Sequence, residues 1–132
     1  MERLIRVVVA VLPYFLYSVA CYAADWTLYS GEAGQAGSKY YDKQSVKKLP
    51  NGFREVTALS NGTRGSNTSV FRIDCVGKRI QSMSMKVYSE KMSQGKLGLS
   101  SNTALPIKSL QAASELDPHK ARLFDLVCAI AR

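Results

Sequence analysis

Three cysteines, Cys21, Cys75 and Cys128, are the first side chains in this chain whose type suggests chemistry. A thiolate can attack a substrate or hold a metal. Either role needs company, a base for the first and further Cys or His at ligand spacing for the second. That company is missing. The single histidine, His119, follows Pro118 at a polar helix start, where an exposed side chain is the plain reading. Met83 and Met85 lie two apart without His or Cys nearby, so they read as core filling and not as a copper site. The sequence carries no glycine-rich phosphate loop and no nucleophile motif. A hydrolase would have to bring carboxylates such as Asp42, Asp74 and Glu90 together in space, and no spacing pairs them. These residues argue against an enzyme and against a resident metal or cofactor.

What the cysteines do depends on where the chain goes. Residues 1–23 have the three-part layout of a cleaved signal peptide. Arg3 and Arg6 come first, an apolar run over 7–20 is short for a bilayer span, and small residues follow at Ala20 and Ala23. The expectation is export through the Sec pathway to the periplasm, the outer membrane or the cell surface, with residues 24–132 forming a single domain. Cleavage after Ala23 discards Cys21. Alternatively, Ser18-Val19-Ala20-Cys21 acts as a degenerate lipobox, with Ser18 where Leu is usual, and Cys21 becomes the lipidated first residue. On either route Cys75 and Cys128 remain as an even pair in an oxidising compartment, most simply a disulfide, with two reduced core thiols as the competing reading. A bond would close a loop of 53 residues, and the chain-entropy model makes that ~4 kcal/mol, a large share of a small domain's stability.

The whole chain carries a formal charge of +8. Removing Glu2, Arg3 and Arg6 leaves it still strongly basic. Excess positive charge favours acidic partners, among them glycosaminoglycans and anionic lipid. The lysines and arginines are spread from Lys39 to Arg132 with no run denser than Lys47-Lys48, which describes a solvated basic surface more than a dedicated polyanion site. Lys39-Tyr40-Tyr41 and Lys86-Val87-Tyr88 place aromatics beside cations as a nucleic-acid platform would. Alternation along strands accounts for the tyrosines, and the export signal argues against nucleic acid.

The elements that must position these residues follow from periodicity. Residues 25–29 and Tyr40-Tyr41-Asp42 read as short strands, Pro50-Asn51-Gly52 as a turn, and 53–60 as a strand with neither face purely apolar. Residues 61–67 are rich in turn formers; Asn61 and Asn67 match the glycosylation sequon but are taken as turn chemistry. The clearest strand is 68–75, with Phe71, Ile73 and Cys75 on one face. Val76-Gly77-Lys78 turns the chain into a partner strand over 79–90, giving an antiparallel hairpin with Met83, Met85 and Val87 on one side. Residues 95–99 form one more short strand. A helical turn over 109–115 precedes a C-terminal helix opened by Asp117-Pro118, where Leu123, Leu126, Val127 and Ile130 make an apolar stripe beside Phe124 and Cys128. The expected fold is α+β, an antiparallel sheet of five to six strands with the C-terminal helix packed on one face and a Cys75 to Cys128 disulfide tying the two.

Taken in order, Ala24-Asp25-Trp26, Tyr40-Tyr41-Asp42 with Ser45, Asp74-Cys75, Arg79, Tyr88, Gly95 and the closing Val127-Cys128 resemble the bacterial surface-adhesin protein E-like family over nearly the whole mature domain. The resemblance implies an envelope protein of Gram-negative bacteria, with a helix tied to an antiparallel sheet by a disulfide. Its founding member is lipid-anchored, binds host matrix and serum proteins such as laminin and vitronectin, and self-associates. The expected function is therefore an exported, non-enzymatic, adhesin-like protein that binds host matrix or serum proteins or polyanions, with a lipid anchor and a homodimer among its implied properties. The weak lipobox keeps open a second reading, a periplasmic structural or accessory domain with a bacterial partner. No binding residues beyond the two cysteines carry over.

Overall fold

Alternating side chains along the central strands set the architecture. The computed structural model describes residues 24–131; the predicted signal segment and Cys21 lie outside them. The strands are β1 (Trp26–Ser30), β2 (Lys39–Asp42), β3 (Lys47–Lys48), β4 (Phe53–Asn61), β5 (Ser66–Asp74), β6 (Arg79–Tyr88), β7 (Leu97–Ser101) and β8 (Lys108–Ser109), followed by helices α1 (Leu110–Leu116) and α2 (His119–Cys128). All pairings are antiparallel, in the order β1-β2-β4-β5-β6-β7, with β3 added to β4 and β8 to β6. The expected α+β fold is present, and its sheet gains two two-residue strands.

The β5–β6 turn shows why the sequence reverses there. Asp74 Oδ1 accepts the Gly77 N–H at 2.8 Å and Oδ2 accepts Arg79 Nε at 2.9 Å. A Cβ on residue 77 would collide with that carboxylate, so any other residue would push Asp74 out of these bonds. Lys78 takes a positive φ of 51° to complete the turn.

Pairing puts Val56, Phe71, Ile73 and Ile80 on one face of the sheet. There they pack with Ala113 of α1 and with Leu123, Phe124 and Val127 of α2. Val56, Ile73, Leu123 and Val127 have no exposed surface, and each such burial contributes roughly 1.5–3 kcal/mol. That sum holds the helical layer down. The Arg54 guanidinium adds a polar tie, donating to Val127 O at 2.9 Å and to Ile130 O. The Cys75–Cys128 disulfide, with Cα atoms 5.8 Å apart, closes the same end.

Three expectations need correction. Met83 and Met85 do not fill the core. The register shifts between Val70 and Phe71, pairing Val70 with Ser84 and Phe71 with Ser82; Met83 is the extra residue of this bulge and is half-buried, and Met85 is 38% exposed. Asn61 and Asn67 are strand residues, since β4 ends at Asn61 and β5 starts at Ser66. The third concerns α2, whose buried stripe is Leu123, Phe124 and Val127, with Ile130 beyond the helix end; the helical turn expected before Asp117 is present as α1, whose Ser109 cap accepts the Ala112 N–H.

Candidate ligand-binding face

The helices cover only one face of the sheet. On the other, cross-strand neighbours form transverse rows. Trp26 pairs with Asp42 across β1 and β2, and Thr57, Val70 and Ser84 form a row from β4 to β6; both sets border one groove. The next row is Leu28, Tyr40, Leu59, Thr68 and Lys86, ending at Ser100 of β7. Directly opposed side chains on one face stand about 4.5–5.5 Å apart at Cβ, so each row is a continuous strip of contact surface.

One end of this face is roofed. Gly34 N donates to Tyr40 Oη at 2.7 Å, and Lys91 Nζ reaches Gly34 O at 3.4 Å, joining the loop over residues 31–37 to the loop over 89–96. Asn61 holds the roof in place. Its Nδ2 donates to Ser38 Oγ at 2.9 Å and contacts Met92 Sδ at 3.2 Å, while its Oδ1 accepts the Met92 N–H at 2.9 Å. Ser66 Oγ donates to Glu90 O and accepts from Ser93 N. Under this roof Leu59 is 1% exposed and Tyr40 is buried. The amide of Asn61, itself buried, has no room for a glycan.

Beyond the roof the face opens into a groove of about 270 Å³, lined by Trp26, Thr57, Thr68, Val70, Ser84, Lys86, Tyr88 and Ser93. Trp26 and Tyr88 are half-buried and Lys86 is exposed. Among the described residues Lys86 makes no ion pair, so its charge is free for a ligand. Trp and Tyr are residue types that carry much of the binding energy at protein interfaces, and Lys86 beside them adds positive charge that favours an acidic ligand. In the adjoining row Glu55 meets Arg72 at 3.9 Å, with Lys47 opposite Glu55 across the strands.

The carboxylates weighed for hydrolysis do not converge. Asp42 borders the groove, but its Oδ1 accepts the N–H groups of Asp25 and Gln44 at 3.0 Å, tying down the ends of β1 and β2. Asp74 lies at the far end of the β5–β6 hairpin, paired with Arg79 at 2.8 Å. The Gly77 N–H and then Arg79 hold the Asp74 carboxyl below the ordinary Asp range despite its burial. Glu90 belongs to the roof. His119 is exposed, with Nδ1 2.8 Å from Ser30 Oγ. Among the described residues no three His, Cys, Asp or Glu gather as a metal site. Cys75 and Cys128 are structural.

Sequence reasoning identified Tyr88, Lys86 and Trp26 as strand residues without joining them. They come from β1 and β6, and only the pairing through β2, β4 and β5 brings them to one surface.

The sheet is thus covered on one side and presents an aromatic, hydroxyl-rich and cationic groove on the other. The chain belongs to the surface-adhesin protein E family, whose family model matches residues 26–129. Membership makes it a surface adhesin by family, which carries the general expectation of an exported, non-enzymatic protein that meets its ligands at the cell surface. No curated protein and no solved structure matches the chain.

Proposed function

We propose that this domain is an adhesin that binds a protein ligand, of the host matrix or serum, through the open face of its sheet. Trp26 and Tyr88 act as apolar anchors, and Lys86 meets an acidic group of the ligand. The observation that carries this reading is the uncovered groove of about 270 Å³ with these three side chains on its rim. Thr57, Thr68 and Ser84 supply hydroxyls across its floor, which a protein or a sulfated polysaccharide can use equally. The signal over residues 1–23 delivers the domain to the envelope; with cleavage after Ala23 it is released unacylated, and acylation of Cys21 would keep it on the membrane.

Solid-phase binding of the purified protein to laminin, vitronectin and heparin tests the proposal. A saturable, salt-sensitive signal is expected for at least one of them. Trp26→Ala should weaken it about thirtyfold, as a hot-spot truncation of ~2 kcal/mol does, and Lys86→Ala should flatten its salt dependence. No saturable signal for any of the three ligands, or variants that bind like the parent, would overturn the reading. Cell fractionation with mass analysis of the N-terminal residue decides between release and a Cys21 anchor.

A further inference from the structure

A second recess lies on the opposite side of the sheet, where α2 begins, and Lys120 divides it. Its Nζ stands 3.7 Å from the centroid of the Phe71 ring and 3.8 Å from Asp117 Oδ2. Lys39 Nζ, arriving from β2, lies 3.8 Å from the same oxygen. Two ammonium groups therefore share one carboxylate. On one side of Lys120 is an apolar chamber of about 260 Å³, walled by Phe71, Ile80, Leu105, Pro106 and Leu116, with the exposed Lys108 also lining it. On the other is a polar chamber of about 160 Å³, lined by Tyr29, Lys39, Ser60, Asn67 and Ser69. Phe71, Asp117 and Lys120 belong to both.

We propose that this recess binds a small amphipathic anion, a monocarboxylate with a hydrocarbon tail, the tail filling the apolar chamber and the carboxylate meeting Lys120 and Lys39. The two halves suit the two ends of such a molecule. Ligand sites are mostly apolar with a few polar groups that fix orientation, and this recess is built that way. Charge supports the same occupant, because Lys39, Lys108 and Lys120 face the single acid Asp117 and leave an excess of positive charge inside a cleft. Lys120 is also short of compensation. Burial outweighs the pull of Asp117, with Lys39 opposing it further, and brings the Lys120 ammonium down to about 8. An arriving carboxylate relieves that deficit. The site is separate from the groove on the open face and does not depend on it.

The test is an NMR titration of the protein with decanoate, with decanol as the uncharged control. Saturable shifts are expected at Phe71, Leu116 and Lys120, with decanol binding about tenfold more weakly for want of a charge-assisted hydrogen bond. The ammonium titration of Lys120 should move up in pH when decanoate is bound. Lys120→Gln should weaken decanoate about tenfold and leave decanol unchanged. Absence of saturable shifts below the micellar range, equal affinity for decanoate and decanol, or shifts confined to Trp26 and Tyr88 would overturn the proposal. The comparison of the two amphiphiles uses the unaltered protein, so it stands even if Lys120→Gln fails to fold.

Discussion

Opening the Cys75–Cys128 bond tests how much of this domain's stability is chain entropy. The bond closes 53 residues, and loop-closure entropy for that length amounts to ~4 kcal/mol at 25 °C. For a domain near a hundred residues each kcal/mol moves the midpoint by at least about 4 °C, so reduction should lower Tm by about 15–20 °C. It should not unfold the protein at 25 °C. Leu123, Phe124 and Val127 stay buried against Val56, Phe71 and Ile73 without the bond, and Arg54 still engages Val127 O at 2.9 Å. The assay is thermal melting followed by circular dichroism, with and without reductant, beside the double variant Cys75→Ser, Cys128→Ser. The reduced protein and the variant should melt together, well below the oxidised protein, with similar spectra at 25 °C. Midpoints for oxidised and reduced protein within about 3 °C of each other would refute the entropic account. A variant already unfolded at 25 °C would refute the claim that apolar packing and the Arg54 tie dock α2 without the bond.

Two further predictions concern pH. Asp74 is held below its ordinary range by Gly77 and Arg79, so its contribution is complete above the unfolded value of about 3.9 and is lost as pH falls through its native value. Urea midpoints should show Asp74→Asn less stable than the parent at neutral pH, with the gap closing in acid; a gap independent of pH would contradict this. Lys120 gives the same sign in a higher pH window, for a different reason: burial penalises its charged form. Its ammonium is brought down from 10.5 to about 8 in the folded protein, so between those values the unfolded chain binds more protons and stability rises with pH. Measurements from pH 7.5 to 9.5 should show that rise in the parent and not in Lys120→Met. The upper limit matters because burial, and then Asp117, raises the Tyr29 hydroxyl above its usual range, and stability falls once the unfolded tyrosine ionises.

The parts of the fold that could be read from the sequence are those whose signal is local. The β5–β6 hairpin announces itself through Phe71 and Ile73 on one face and Gly77 in the turn, and α2 through Leu123, Val127 and the Asp117-Pro118 start. The misplacement of Met83 has a different origin. Alternation assumes an unbroken register, and the bulge opposite Val70 and Phe71 resets it with no residue that marks the spot. Lys47–Lys48 and Lys108–Ser109 are too short to show a period, and become strands because β4 and β6 offer them partners. Neither recess was legible for the same reason. Trp26 and Tyr88 reach one groove only across four strand pairings, and Lys39 meets Asp117 from the other end of the chain; adjacency of that kind is a property of the assembled sheet.

Asn61 gives the roof over the open face a particular dynamic character. One buried amide bonds to Ser38 and Met92, so neither loop can lift fully without leaving polar atoms of that amide unsatisfied in the interior. The loops over 31–37 and 89–96 thus form one cooperative opening unit, with a shared opening free energy in place of two independent frays. Amide protons on the two loops would then exchange with solvent in step, and a ligand bearing on Ser93 at the groove would slow exchange around Gly34 with no contact between them.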